Sequence, residues 1–240
     1  MNTERDLHKT FIGTETPIEL EAFKNEKTLE SFKDFSKFMM MYGCAIKEVR
    51  TKFEVLNDDF SIENKRNPIE MIKSRVKSPI SIIKKLERRN LPMTMEAILD
   101  NLNDVAGVRV ICSFIEDIYM IAKMFENQDD VTLIEVKDYI KNPKPNGYRS
   151  YHMIVEVPVF FSSRKINLRV EVQLRTIAMD FWASLEHKMK YKKDIEGAQM
   201  LEKELAECAS VIASTDEKMQ KIHNDLIKLS DNGFKAERKK

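Results

Sequence analysis

Apolar residues change their spacing twice along this chain, and the changes divide it into three parts. From Phe32 they recur at Phe35, Met39, Tyr42, Ile46, Val49, Phe53 and Leu56. From Leu201 they recur at Leu205, Cys208, Ile212, Met219, Ile222, Leu226 and Leu229, with Thr215 filling a polar slot. Alternating steps of three and four predict two long helices, each with a heptad seam. Each seam either packs on its own domain or pairs with the other seam and with another subunit. Between the flanks the spacing is that of strands, at approximately Val108–Phe114, Val131–Lys137, Ser150–Val157 and Ile166–Arg175. A helix near Glu116–Asn127 connects the first two, and another runs from Thr176 to about Tyr191. The centre is thus predicted to be an α/β core. Trp182 lies on the last of these helices with Phe181 and Leu185 and reads as a packing residue.

Ahead of that core, Asn67, Pro68 and Glu70 form a capping-box-like start, which predicts a helix. Pro79 cannot continue it, so a break is expected at Lys77-Ser78, with a new helix beginning at Pro79 under a Ser78 cap. Arg75 and Lys77 would then stand at a helix junction beside free N–H groups, a natural anion site. Ser81 falls in the first turn, and Lys84 and Lys85 one turn on. The alternative is a basic, solvated helix face.

Three further segments carry candidate chemistry. Asn167 to Thr176 alternates strictly, with Leu168, Val170, Val172 and Leu174 on one face and Arg169, Glu171, Gln173 and Arg175 on the other. This is either an antiparallel strand with one face in water or a metal-phosphate site laid on a sheet. In the run Val108 to Phe114, Arg109 is the one charge, and a charge inside a buried strand is rarely left unpaired. It either pairs with Asp104 or meets phosphate while Asp104 and Glu171 hold a divalent cation. The segment Val136 to His152 holds Pro143, Pro145, an Asn146-Gly147 turn, Tyr148 and five basic residues (Lys137, Lys141, Lys144, Arg149, His152). It is a solvated hairpin loop, or a site for a ligand with a flat ring and phosphates.

Composition narrows the choice. Lys plus Arg number 40 and Asp plus Glu 39, so the chain is no polycation, which argues against nonspecific duplex binding. Its basic residues cluster instead at Arg75 to Arg89 and at Lys137 to Arg149. Cys44, Cys112 and Cys208 form no CxxC pair and read as small core residues in a reducing cytosol. The charged start MNTERDLHKTF has no apolar signal core, and no run approaches transmembrane length, so a cytoplasmic protein without membrane contact is expected. The tail from Lys235 to Lys240 reads as a disordered basic end.

Five segments in register resemble the synthetase domain of the RelA/SpoT family, the (p)ppGpp or alarmone synthetases. They are RVKSPISIIKK from Arg75, DVAGVRV from Asp104, KDYIKNPKPNGYRSYH from Lys137, VEVQLRT from Val170 and AMDFWASLEHK from Ala178. The resemblance spans roughly Asn67 to Lys193 and implies a mostly antiparallel, mixed sheet of nucleotidyltransferase-like type flanked by helices. It also implies transfer of pyrophosphate from ATP to the 3′-hydroxyl of GTP or GDP. Asp104 and Glu171 would bind Mg²⁺, with Glu171 also best placed to help deprotonate the hydroxyl. Arg75, Lys77, Ser81, Lys85 and Arg109 would hold ATP. Tyr148 would stack on guanine, with Lys137, Asn146, His152 and Gln173 around the acceptor.

No His-Asp dipeptide occurs, so a synthetase without the hydrolase of the long family members is expected. The text is closer to the RelP than to the RelQ branch, and Glu135 departs from the long enzymes, which carry arginine there. The expected division is a helical extension over 1–66, a catalytic domain over 67–193 and an oligomerising helix with a basic tail over 194–240. The family implies a homotetramer, whereas the seams alone argue only for an oligomer. RNA binding is not indicated. Two rivals stay open: a non-catalytic guanine-nucleotide or RNA sensor on the same fold, and another nucleotidyltransferase. The first has no need of Asp104 and Glu171, and the second does not explain the loop around Tyr148.

Overall fold

The computed structural model describes residues 26–190 and 198–237. The boundary expected at 193/194, the helix end at Tyr191 and the last residues of the basic tail lie outside them. The chain forms two compact units, Met1–Met40 and Met41–Lys240. In the first, the rings of Phe35 and Phe38 stack at 6.3 Å on the opening turns of helix α1 (Glu26–Asn64). All that follows concerns the second unit.

After α1 come β1 (Ile69–Val76), α2 (Pro79–Arg88), α3 (Met95–Asn101), β2 (Ala106–Cys112), α4 (Ile115–Glu126), β3 (Thr132–Asp138), β4 (Tyr151–Phe160), β5 (Lys165–Thr176), α5 (Ile177–Lys190) and α6 (Ala198–Glu237). The strands form one sheet in the order β1-β2-β5-β4-β3. Only β2 and β5 run parallel; the other neighbours are antiparallel. The sheet is mixed and mostly antiparallel, as expected.

One face of the sheet is dry. Ala106, Val108 and Val110 of β2, Leu168, Val170, Val172 and Leu174 of β5, and Met153, Val155 and Val157 of β4 are almost wholly buried. Each fully buried Val or Leu here contributes on the order of 1.5–3 kcal/mol. Helix α4 covers this face with Ile118, Ile121, Ala122 and Phe125. Phe125 stacks on Phe53 of α1 at 4.3 Å between ring centroids. The first seam is therefore spent within the chain from Tyr42 to Phe53, since Tyr42, Ile46, Val49 and Phe53 are all buried. It does not wait for another subunit.

The segment predicted as a helix over 67–77 is strand β1. Its capping signal is real but local, and it yields to pairing with β2 from Ile69 to Val76. Glu70, instead of closing a capping box, accepts a hydrogen bond from Ser113 Oγ at 2.7 Å. The break at Ser78 and the helix from Pro79 are as predicted: Ser78 Oγ accepts from Ser81 N and caps α2. Helix α3, not foreseen, is capped in the same way by Thr94, whose Oγ1 accepts from Ala97 N.

Helix α6 docks by the face opposite the one its heptads suggest. Ala209 and Asp216 are buried, and Gln220 and Asn224 bond to Glu116 on α4. Most of the apolar seam points outward, with Cys208, Met219, Ile222, Leu226 and Leu229 exposed, and Val211 joins them.

Candidate active site

The second face of the sheet is charged, and strand register arranges it in two rows. Lys73, Arg109, Gln173, His152 and Lys137 stand opposite one another from β1 across to β3. The neighbouring row is Arg75, Gly107, Glu171, Ile154 and Glu135. A cleft of about 250 Å³ opens over both rows and is lined by Lys73, Ser74, Arg75, Asp104, Gly107, Val108, Arg109, Glu171 and Gln173. Gly107 has no side chain to fill the floor between Arg75 and Glu171. Four of the predicted ATP and cation residues (Arg75, Asp104, Arg109, Glu171) and one acceptor residue, Gln173, thus share one cavity.

Arg75 reaches this place on β1, and Lys77 reaches Asp104 from the residue just after that strand, rather than from a helix junction. Period two puts Lys73, Arg75 and Lys77 on one side, and the Lys77 backbone N–H donates to Val105 O at 2.8 Å, which keeps the chain beside Asp104. Asp104 Oδ2 is 2.5 Å from Lys77 Nζ and 2.6 Å from Lys85 Nζ. Burial pushes the Asp104 carboxyl up, but the two lysines outweigh it and hold it below the usual carboxylate range. Burial also lowers Lys85, against the pull of Asp104. The suggested Asp104–Arg109 pair does not form: the lysines take Asp104, and Arg109 turns to Asp180.

Asp104 Oδ1 is buried and has no hydrogen-bond partner among the described residues. A buried carboxylate oxygen without a donor fits a cation. Glu171 faces the same cleft. Its Oε1 lies 3.5 Å from His152 Nδ1, and its Oε2 accepts from Gln173 Nε2 at 2.9 Å. Burial raises the Glu171 carboxyl, His152 and Gln173 more than offset that, and the net is a carboxyl below its ordinary range. No cluster of three or more His, Cys, Asp or Glu able to hold a metal occurs among the described residues. Two carboxylates beside a basic cleft suit Mg²⁺, which keeps water and phosphate ligands, better than an ion held by protein alone.

The aromatic part of the site is a short chain of contacts. Tyr148 Oη is 2.8 Å from His152 Nε2 and accepts from Arg175 Nη2 at 2.7 Å, and the Arg175 guanidinium lies 5.2 Å from the Tyr148 ring centre. Lys144 Nζ sits 4.9 Å from the same ring. Gly147 turns the loop with φ +84 and presses it onto α6, where an added Cβ would fall 2.4 Å from Ala209 Cβ. Asn146 serves the loop rather than the cleft: its Nδ2 donates to Glu186 Oε1 at 2.9 Å, and its Oδ1 accepts from Tyr148 N. Trp182 packs with Ala183 and Ala209 against Tyr148 and Ile212, and donates to Leu205 O. It is a packing residue as read, although Phe181 and Leu185 beside it are exposed.

Lys77, Lys85, Tyr148, His152 and Asn146 stand outside the cleft lining itself, and so do two further predicted residues. Ser81 is exposed, with its Oγ 2.8 Å from Ser78 Oγ. Lys137 is in the first row but half-exposed and paired with Glu135 at 3.0 Å. Of the cysteines, all free, only Cys112 is buried; Cys44 is intermediate and Cys208 exposed. Sequence reasoning gave no role to Asp180, Lys73 and Arg175, which meet in one cluster. The available signal was an arginine in each of two core strands, both in need of a carboxylate.

A mixed sheet whose polar face carries a basic cleft, two acceptor carboxylates and a ring beside them defines a nucleotide-phosphate site. Comparison with known proteins narrows this. Residues 74–196 match the model described as the region found in RelA/SpoT proteins. The chain is 43% identical over 194 residues to the GTP pyrophosphokinase YwaC of Bacillus subtilis strain 168, covering 81% of this chain and 92% of that protein. The crystal structure of small alarmone synthetase 2 from Bacillus subtilis matches with TM-score 0.72 and 43% identity, over 80% of this chain and 99% of that one. Small alarmone synthetase 1 from Bacillus subtilis, bound to its product pppGpp, matches with TM-score 0.73 and 32% identity, over 80% and 98%. The chain belongs to the RelA/SpoT family.

Proposed function

We propose that this chain is a GTP pyrophosphokinase, which moves the β,γ-pyrophosphate of ATP to the 3′-hydroxyl of GTP or GDP. The products are pppGpp or ppGpp, and AMP. The observation that carries this reading is the row Arg75–Gly107–Glu171 beside the donorless Asp104 oxygen: cations for phosphate, an open floor and two carboxylates in one cleft.

The 3′-oxygen attacks the β-phosphorus, the bond from that phosphorus to the α,β-bridging oxygen breaks, and AMP leaves with that oxygen. Charge gathers on phosphate oxygens, so catalysis is mostly positioning and cationic stabilisation. Arg75, Lys77, Lys85 and Arg109 hold the donor, with the two lysines moving from Asp104 to phosphate. Asp104 and Glu171 would hold Mg²⁺, which would supply positive charge to the transferred phosphates. Tyr148 stacks on guanine, with His152 and Gln173 beside it and Lys137 at the rim. Glu171 accepts the 3′-proton only as a weak base, because its carboxyl lies below the ordinary range; its role as cation ligand is the stronger one.

The catalytic domain is assigned to 67–193, with a helical extension before it and an assembly helix after it. The free cysteines suit a reducing, cytoplasmic setting, and no helix of the described residues is long and apolar enough to cross a membrane. The test is an incubation with ATP, GTP and Mg²⁺, resolved by anion exchange. AMP with a guanosine pentaphosphate is expected. Nucleotide binding without turnover would overturn the enzymatic reading in favour of a sensor.

A further inference from the structure

The charged face converges on Asp180, a residue given no part in binding or chemistry above. It stands in the first turn of α5, immediately after β5, and is 8% exposed. Three strands each send it one cation. Asp180 Oδ1 accepts from Arg109 Nη1 at 3.0 Å and from Arg175 Nη1 at 3.1 Å, and Oδ2 accepts from Lys73 Nζ at 3.1 Å. Two guanidiniums on one oxygen would repel each other without that charge. The pull of the three cations outweighs burial and keeps the Asp180 carboxyl low.

The contacts do not end at the carboxylate. Arg175, itself 4% exposed, also donates through Nη2 to Tyr148 Oη at 2.7 Å and to Gln173 Oε1 at 3.0 Å. Tyr148 meets His152, and His152 meets Glu171. An unbroken run of polar contacts thus leads from Arg109, on the donor side, through Asp180 and Arg175 to the acceptor ring. A purely structural counter-ion for Arg109 would not need Arg175, and Arg175 would not need to reach Tyr148.

We propose that Asp180 is a positioning residue that couples the two nucleotide subsites: by holding Arg109 and Arg175 on one carboxylate, it fixes where Tyr148 presents its ring to the acceptor base. This rests on the reading of the cleft as a pyrophosphokinase site. Asp180 touches neither nucleotide and acts through the arginines. Its loss therefore alters acceptor affinity as well as donor affinity, whereas loss of the Tyr148 ring alters the acceptor alone.

The chain's single tryptophan, Trp182, packs against Tyr148, so its fluorescence reads GTP binding without turnover. The experiment titrates GTP alone into wild type, Asp180→Asn, Arg175→Lys and the double variant, with thermal melts and the Michaelis constants for ATP and GTP alongside. Each single variant should weaken GTP binding roughly threefold to tenfold. The double should be no weaker than the worse single, because both changes cut one path, and Asp180→Asn should raise both Michaelis constants. A lowered melting temperature with unchanged GTP affinity makes Asp180 a structural counter-ion and overturns the proposal, as do additive effects. Tighter ATP binding in Asp180→Asn also overturns it, since Asp180 would then be a competitor of phosphate. If Asp180→Asn does not fold, Arg175→Lys decides alone: it keeps a cation for Asp180 and removes the reach to Tyr148, so unchanged GTP affinity overturns the proposal. Wild type that binds GTP but makes no pentaphosphate overturns the enzymatic reading while the coupling is still read by titration. Wild type that does not bind GTP overturns both.

Discussion

Three carboxylates in the cleft region, Asp104, Glu171 and Asp180, differ by what faces them, and their tests differ accordingly. Glu171→Gln keeps the shape and the Gln173 contact but removes the charge offered to a cation. Turnover should fall on the order of 100-fold or more, with ATP affinity near wild type and the fold retained. Asp104→Asn should behave alike, and near-wild-type synthesis by either would remove the cation site. Tyr148→Ala removes a stacking surface worth about 1–3 kcal/mol per base. The Michaelis constant for GTP should rise by that amount and that for ATP far less; equal damage to both would make Tyr148 a loop-shaping residue. All three carboxyls lie below their ordinary range in the fold. The stability they contribute is therefore present above the unfolded-state values near 4 and is lost as pH falls through the lower folded values. Urea midpoints should hold between about pH 7 and pH 5 as far as these groups decide them, and fall below about pH 4. Glu171→Gln should flatten that acid limb. The alternation of Leu168 to Arg175 made Glu171, Gln173 and Arg175 legible as one face. The partner of Arg109 was not legible, because it depends on a parallel β2–β5 register and on the first turn of α5, neither of which a single sequence shows.

At the scale of elements, the strands with strong alternation were readable and β1 was not. Its Asn-Pro-x-Glu opening has the form of a helix start, and nothing local reveals the pairing with β2 that overrides it. The consequence reached the site, since a helix junction and a sheet face aim Arg75 and Lys77 differently. The contact between the Gly147 loop and α6 was equally hidden, because it joins residues far apart in sequence. It gives a sharp test. Gly147→Ala faces both a φ of +84 and the 2.4 Å approach to Ala209, and should cost about 1–3 kcal/mol from the backbone alone. A lower melting temperature and weaker GTP binding should appear together. Adding Ala209→Gly relieves the collision but not the φ, so recovery should be partial; full recovery would mean the backbone is unstrained. Nearby, burial raises the buried Asp216 carboxyl on α6 despite the hydrogen bond from Thr176 Oγ1. A raised folded value contributes stability at low pH that is lost as pH rises through it. Asp216→Asn should therefore melt higher than wild type at pH 8 and lose that advantage near pH 4.

For the whole molecule, the two heptad seams have different fates, and this decides where an assembly contact can lie. The seam of α1 is consumed by the chain's own core from Tyr42 to Phe53. Helix α6 meets its own domain through Ile212 and through small and polar residues, and leaves Val211, Met219, Ile222 and Leu229 in water, with Met219 52% and Ile222 53% exposed. From Val211 to Leu229 that stripe runs about 27 Å. An exposed apolar stripe of that length is what a contact with a second copy would cover, and closed symmetry is the usual way such faces are satisfied. The sequence pattern located the helix but not its orientation, so Ile212 looked like a seam residue, whereas it packs against the Trp182 cluster behind Tyr148. A charge at Ile212 would damage the acceptor side along with any assembly. Met219→Glu with Ile222→Glu separates the two effects, because both side chains face water. Light scattering at matched concentration should give wild type a multiple of the 28.1 kDa chain mass and the double variant a single chain. Trp182 fluorescence should show GTP binding retained in that single chain, because the loop, Arg175 and Asp180 all belong to one copy. A wild-type mass near 28.1 kDa would sink the assembly and leave the stripe as surface. Loss of GTP binding in the dissociated variant would instead tie the acceptor loop to subunit contact through α6.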